Sequence, residues 1–139
     1  MQTAQILADK LQLPITPMPQ FREVNNGDLS GMDNEIALYR YPGLFWNQLG
    51  WEECYPNGES PKDFYGRVSS AWEDFSKEIV KQNKNVALVT HGGVIHVIRA
   101  ILENRPYSNS GNNRKVHYTE VIPLIYEDGY WVEGERHGT

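Results

Sequence analysis

With 139 residues the chain has the length of a single domain able to bury a core of its own. A formal charge of −5 and the lack of any Lys/Arg cluster argue against nucleic acid or an anionic membrane as partner, and favour a small molecule or another protein. Cys54 is the single cysteine, which leaves no internal disulfide, and MQTAQILADKLQLP lacks the apolar run of a secretory signal or membrane span, so a soluble cytoplasmic protein is expected.

In chain order, Ala4, Ile6, Leu7, Ala8 and Leu11 recur at helical spacing until Pro14, which predicts a helix over residues 2 to 12. ITPMPQFREV then reads as a proline-punctuated extended segment leading into NNGDLSG, a turn in which Gly27 and Gly31 can take backbone angles closed to other residues. A short helix is expected over residues 33 to 39, ending before Pro42-Gly43. The aromatic LFWNQLGWEECYPNG that follows reads as a long surface excursion. Its rings are read first as a satellite hydrophobic cluster, with a pocket wall as the alternative.

Helix-start signals are strong at GESPKDF, with Ser60 as N-cap, Pro61 at the first helical position and Asp63 in the first turn. Phe64, Val68, Trp72, Phe75 and Ile79 form the apolar face of that helix, and NKN ends it. VALVT, residues 86 to 90, is a continuous apolar run of the kind found in a central parallel strand covered on both faces. Gly92 and Gly93 turn the chain into the helix VIHVIRAILEN, with His96, Arg99 and Glu103 on one polar stripe. TEVIPLIY and YWVEG predict a β-hairpin around Glu127-Asp128-Gly129, with Pro123 marking a sheet edge.

The junction of VALVT and its helix is where chemistry is expected. Ligands of open α/β sheets sit beyond the carboxyl ends of the strands, and a helix amino terminus offers free N–H groups to an anion. His91 can donate from a ring nitrogen to a phosphoryl oxygen, while Gly92 and Gly93, lacking side chains, let backbone amides approach. Taken alone, THGG is as well explained by plain capping of strand and helix, since short glycine motifs recur by chance.

Two further stretches in a fixed order change that weighting. Phe21, Glu23, Gly27 and Gly31 are followed by Pro56, Gly58, Glu59, Ser60 and Arg67, and then by Thr90, His91, Gly92 and Gly93. In this running order the sequence resembles the histidine phosphatase (phosphoglycerate mutase-like) superfamily, and Gln2-Thr3-Ala4 resemble the end of an Arg-Ala-x-Gln-Thr-Ala stretch ahead of the glutamate motif. The resemblance covers nearly the whole chain and the later part of the family's domain.

The resemblance implies an α/β, three-layer phosphoglycerate mutase-like fold with a mainly parallel sheet, lacking its first strand or strands, and with the carboxy-terminal hairpin at the sheet edge. It implies phosphomonoester hydrolysis, or transfer, through a phosphohistidine, with no cofactor and no metal. Carried over residue by residue, Glu23 is the acid that protonates the leaving oxygen, His91 is the second histidine that stabilises the transferring group, and Gly92 joins His91 in binding phosphate. The family's Arg-His-Gly nucleophile strand has no counterpart ahead of Gln2, so residues 1–139 are expected to be an amino-terminally truncated domain, inactive as they stand.

The expected ligand is a phosphorylated small molecule such as a sugar phosphate, and a homodimer covering the open sheet edge is one arrangement open to the chain. The alternative function is a non-catalytic module that binds a phosphorylated ligand or a protein. Arg136-His137-Gly138-Thr139 spells the absent motif at the far end of the chain and is read as coincidence. Zinc is not expected: His96 lies about 140° around a helix from His91, and His117 and Cys54 add no close ligand pair.

Overall fold

A computed structural model describes residues 2–43, 45–111 and 113–135. The terminal Arg-His-Gly-Thr lies outside the described residues. Among the described residues there are four α-helices, α1 (Gln2–Leu11), α2 (Asn34–Arg40), α3 (Pro61–Gln82) and α4 (Gly92–Leu102), followed by strands β1 (Leu124–Glu127) and β2 (Tyr130–Glu133). Short 3-10 turns at Pro19–Phe21, Gly27–Leu29 and Trp46–Gln48 punctuate the irregular segments. Among the described residues no helix is long and apolar enough to cross a membrane.

Local chemistry sets the helix ends. The Ser60 hydroxyl accepts from the Asp63 amide at 3.1 Å while the Asp63 carboxylate accepts from the Ser60 amide at 3.4 Å, a reciprocal cap behind Pro61. Asn83 in the left-handed conformation (φ 50°) stops α3 in the NKN stretch. Asp33 caps α2, accepting from the Glu35 amide at 2.9 Å.

The core is the contact of α3 with α4. Phe64, Val68, Ala71 and Trp72 meet Val94, Val97 and Ile98, and Phe21 enters from the irregular segment, edge-on to Phe75 at 5.4 Å between ring centroids. Trp131 of the hairpin packs edge-on against Trp72 at 5.8 Å. Arg99 ties the hairpin to α4: only 3 % exposed, it donates to both carboxylate oxygens of Glu133, at 2.8 and 3.1 Å. Arg99, on the polar stripe it shares with His96 and Glu103, can be buried because a carboxylate arriving from β2 gives its guanidinium a partner.

The sheet departs from expectation. Among the described residues it has two antiparallel strands, β1 and β2, with Leu124 opposite Glu133 and Glu127 opposite Tyr130. The hairpin turn is as read, with positive φ at both Asp128 (51°) and Gly129 (88°). Strand β1, however, begins after Pro123, which cannot donate to a ladder and instead accepts from the Gly134 amide through its carbonyl at 2.9 Å. Residues 86–90, expected as a covered central strand, join no sheet here, and Val86 and Val89 are 53 % and 42 % exposed. The mainly parallel sheet, with the hairpin at its edge, is thus not what the described residues form. An apolar run becomes a strand only where neighbours complete its ladder.

Candidate active site

The first glutamate motif and the Pro-x-Gly-Glu-Ser motif form one interlocked unit. The Asp28 amide donates to the Pro56 carbonyl and the Glu59 amide to the Asn25 carbonyl, each at 2.9 Å, and the Asn57 side-chain amide reaches the Asp28 carboxylate at 2.9 Å. The backbones approach so closely that a Cβ on Gly27 (φ +54°) would lie 2.0 Å from the Pro56 carbonyl oxygen, and one on Gly58 would lie 2.7 Å from that of Asn25. The glycines of the two motifs answer to each other.

Arg67, nearly two turns into α3, holds this unit. It donates to both carboxylate oxygens of Glu59 at 2.7 and 2.8 Å, and to the backbone carbonyls of Gln20 (2.7 Å), Arg22 (3.0 Å) and Glu23 (3.3 Å). Glu59 accepts in addition from the Asn25 amide at 2.9 Å. Burial alone raises the Glu59 carboxyl, but the hydrogen bonds from Arg67 and Asn25 outweigh it, and the group is held below its ordinary value. The backbone on both sides of Glu23 is therefore pinned by one guanidinium and its counter-ion. Spacing in the sequence singled out Arg67 only as a motif residue, and nothing there revealed that its targets are main-chain carbonyls.

Glu23 and the THGG stretch meet. The Gly93 amide donates to one Glu23 carboxylate oxygen at 3.1 Å, and the Thr90 hydroxyl donates to the Phe21 carbonyl at 2.8 Å. A Cβ on Gly93 would come 2.3 Å from Glu23, whereas one on Gly92 would meet nothing within 4 Å. The two glycines thus do different work: Gly93 makes room for the carboxylate, which takes its amide, and Gly92 faces open space. His91 occupies the N-cap position of α4, yet its side chain makes no capping hydrogen bond and is exposed.

Beside Glu23 lies a cavity of about 400 Å³, lined also by Trp46, Tyr55, Gly93, His96 and Tyr107. Two aromatic residues of the long excursion, Trp46 and Tyr55, therefore wall a pocket, while Trp51, outside that lining, lies tilted against Tyr65 at 6.0 Å and Tyr107 at 6.3 Å in a ring cluster, so both readings of the excursion apply to different rings. Burial, with the nearby Glu23 charge behind it, pushes the Tyr107 hydroxyl up to about 12 against a hydrogen bond from the Trp46 indole, so Tyr107 stays a neutral phenol. Among the described residues no three His, Cys, Asp or Glu side chains gather to hold a metal ion.

Comparison with known proteins bears on this arrangement. The sequence model of the histidine phosphatase superfamily (branch 1) matches residues 1–135. "Uncharacterized phosphatase PhoE" of Bacillus subtilis is 32% identical over 96 residues, 69% of this chain and 44% of that protein. The 2,3-bisphosphoglycerate-dependent phosphoglycerate mutase of Methanococcus vannielii is 30% identical over 116 residues, 80% of this chain and 48% of the mutase. The mutase 1 of that name from Gloeobacter violaceus is 31% identical over 120 residues, 84% of this chain and 50% of its own. The chain spans about half the length of these relatives. It belongs to the histidine phosphatase superfamily, with the phosphoglycerate mutase-like α/β fold that membership implies.

Proposed function

We propose that this chain supplies the acid and one phosphate-contacting wall of a phosphomonoester hydrolase or mutase, in which the attacking histidine comes from outside these 139 residues. In the reaction a histidine nitrogen bonds to phosphorus as the bond from phosphorus to the substrate's organic oxygen breaks, and Glu23 gives that oxygen its proton. Water then attacks the phosphorus of the phosphohistidine, the phosphorus–nitrogen bond breaks to return the free histidine and inorganic phosphate, and the Glu23 carboxylate takes up the proton the water loses. His91 and the Gly92 amide hydrogen-bond the phosphoryl oxygens as charge builds on them. The ligand class is a small phosphorylated molecule.

The observation that carries this reading is the meeting of Glu23 with the amino end of α4 at 3.1 Å, two residues past an exposed histidine whose ring does no capping. The chain's share of its relatives' length, and the exposure of Val86 and Val89 in the apolar segment 86–90, support an external source for the nucleophile.

The test is hydrolysis of an alkyl phosphate by the whole protein and by the 139-residue chain, each purified alongside Glu23→Gln and His91→Ala. Glu23→Gln in the whole protein should lower kcat by about 10²–10⁴-fold, the usual worth of a positioned general acid, and the 139-residue chain should show no turnover. Turnover by that chain, abolished in His91→Ala, would make His91 the nucleophile and overturn the assignment. A whole protein that binds phosphate at His91 without hydrolysing any ester would be a binding module instead.

A further inference from the structure

The excursion that brings Trp46 to the cavity beside Glu23 is gripped by the connection between α4 and β1. The Asn109 side-chain amide donates to the carbonyls of Trp46 and Leu49, at 2.6 and 3.0 Å, one at the start of the short 3-10 turn and one just past its end. We infer that Asn109 is a positioning residue, whose amide sets the backbone of residues 46–49, and with it the Trp46 wall of the cavity, in place beside Glu23. The effect on catalysis rests on the proposed role of Glu23, whereas the grip on the turn does not.

The turn needs an outside partner because its own bonds are few. The Gln48 amide donates to the Phe45 carbonyl at 2.9 Å, and the Leu49 amide is shared between the Phe45 and Trp46 carbonyls at 3.1 and 3.4 Å. The carbonyls at the end of so short a turn look to side chains or solvent for donors, and Leu49 is only 5 % exposed. Asn109 lies 60 residues beyond Leu49 in sequence and supplies two N–H groups from one nitrogen. A serine has one donor and an ionised aspartate none, so neither could take both carbonyls.

Tyr107, two residues earlier, grips the indole as Asn109 grips the backbone. Its hydroxyl accepts from the Trp46 indole N–H, and its ring is stacked on Tyr65 of α3 at 5.6 Å with 16° between the planes. Trp46 itself stands edge-on against Phe64 of the same helix at 5.9 Å. The far end of the excursion is fixed separately, through the Asp28 amide on the Pro56 carbonyl. Loss of the Asn109 amide should therefore loosen the turn locally and leave the core and the Glu23 motif assembled.

Two variants separate donation from packing. Asn109→Leu keeps the bulk and neutrality of the side chain and removes both donors, while Asn109→Ala removes the bulk as well. In the whole protein, hydrogen exchange at the Leu49 amide should quicken at least about tenfold in both variants, as two lost hydrogen bonds imply. The Trp46 indole NMR signal should move, while those of Trp72 and Trp131 stay in place and report an intact core. With glycerol 3-phosphate as the probe, KM should rise several-fold and kcat should change much less, because the turn holds a wall and Glu23 does the chemistry. Unchanged Leu49 exchange in Asn109→Leu, with the effect confined to Asn109→Ala, would make Asn109 a packing residue and overturn the inference. So would a loosened turn that left KM unchanged, or Leu49 exchange that quickened as much in Tyr107→Phe, which keeps the stack on Tyr65 and releases the indole alone. If the unmodified whole protein hydrolyses no phosphate ester, the catalytic reading fails, and faster Leu49 exchange in Asn109→Leu still establishes the grip.

Discussion

Residues 19–29 and residues 86–90 are both irregular stretches ending at a glycine turn, yet they are held in opposite ways. The first has its carbonyls collected by Arg67, its amide at Asn25 capped by Glu59, and its ring at Phe21 buried in the core. The second is attached through the Thr90 hydroxyl and the partly buried Leu88 side chain, while Val86 and Val89 stay exposed. Side chains from one helix can satisfy an irregular backbone within a short span of chain. A strand needs other strands, and their contribution is non-local.

The widest contrast comes from truncating one apolar side chain in each region. Phe64 is 1 % exposed at the centre of the α3–α4 contact, and Phe64→Ala should cost about 3–5 kcal/mol, read as a lowered urea midpoint of the 139-residue chain. Val89→Ala in the same chain should change stability by less than about 0.5 kcal/mol, as surface substitutions do. Equal losses would show that 86–90 is covered in solution. A larger Val89→Ala loss in a longer form of the protein would identify the added residues as its neighbours.

Next in size is the pin itself. Arg67→Met removes the guanidinium from Glu59, which is 14 % exposed, and from three carbonyls at once, and should cost about 3 kcal/mol, the range found when one partner of a largely buried pair is lost. Its acid dependence gives a sharper readout. The Glu59 carboxyl is held below its ordinary value, so its contribution is present above the unfolded-state value and is lost as pH falls through the lower folded value. The stability of the unmodified chain should therefore fall across the acid side of the carboxylate range, and Arg67→Met should flatten that limb. An unchanged acid limb would mean that Arg67 contributes packing against the Phe64 ring, 5.2 Å from its guanidinium carbon, and little charge pairing.

How much of this was legible in the sequence follows from the same contrast. The ends of α3 and the turn of the hairpin are written in a few adjacent residues, Ser60-Pro61 with Asp63, and Asp128-Gly129, because caps and tight turns are settled locally. Motif order singles out Glu23 and the THGG stretch, though not the hydrogen bond from the Gly93 amide to Glu23, whose 70-residue separation leaves no periodic trace. The partner of Arg99 was not legible, because helical spacing records which side chains share a stripe and not which carboxylate will reach that stripe from another element. VALVT has the composition of a buried strand, but composition cannot say which segment lies alongside it.

The smallest expected change in stability isolates the junction of the two motifs. Gly93→Ala removes a helix glycine, which by propensity favours the folded state by up to about 1 kcal/mol, but the new Cβ would fall 2.3 Å from a Glu23 oxygen. Because that oxygen ends a flexible side chain, the carboxylate can swing aside, losing its 3.1 Å bond to the Gly93 amide and leaving the fold intact. The net stability change should stay within about 1 kcal/mol. The ¹³C signal of the Glu23 carboxyl should move, and turnover by the whole protein should fall as it does in Glu23→Gln. Gly92→Ala, whose Cβ meets nothing within 4 Å, should leave that signal in place. If Gly93→Ala instead kept both the Glu23 signal and full turnover, contact with the amino end of α4 would not be what positions Glu23, and Arg67's hold on the backbone around it would have to do so alone.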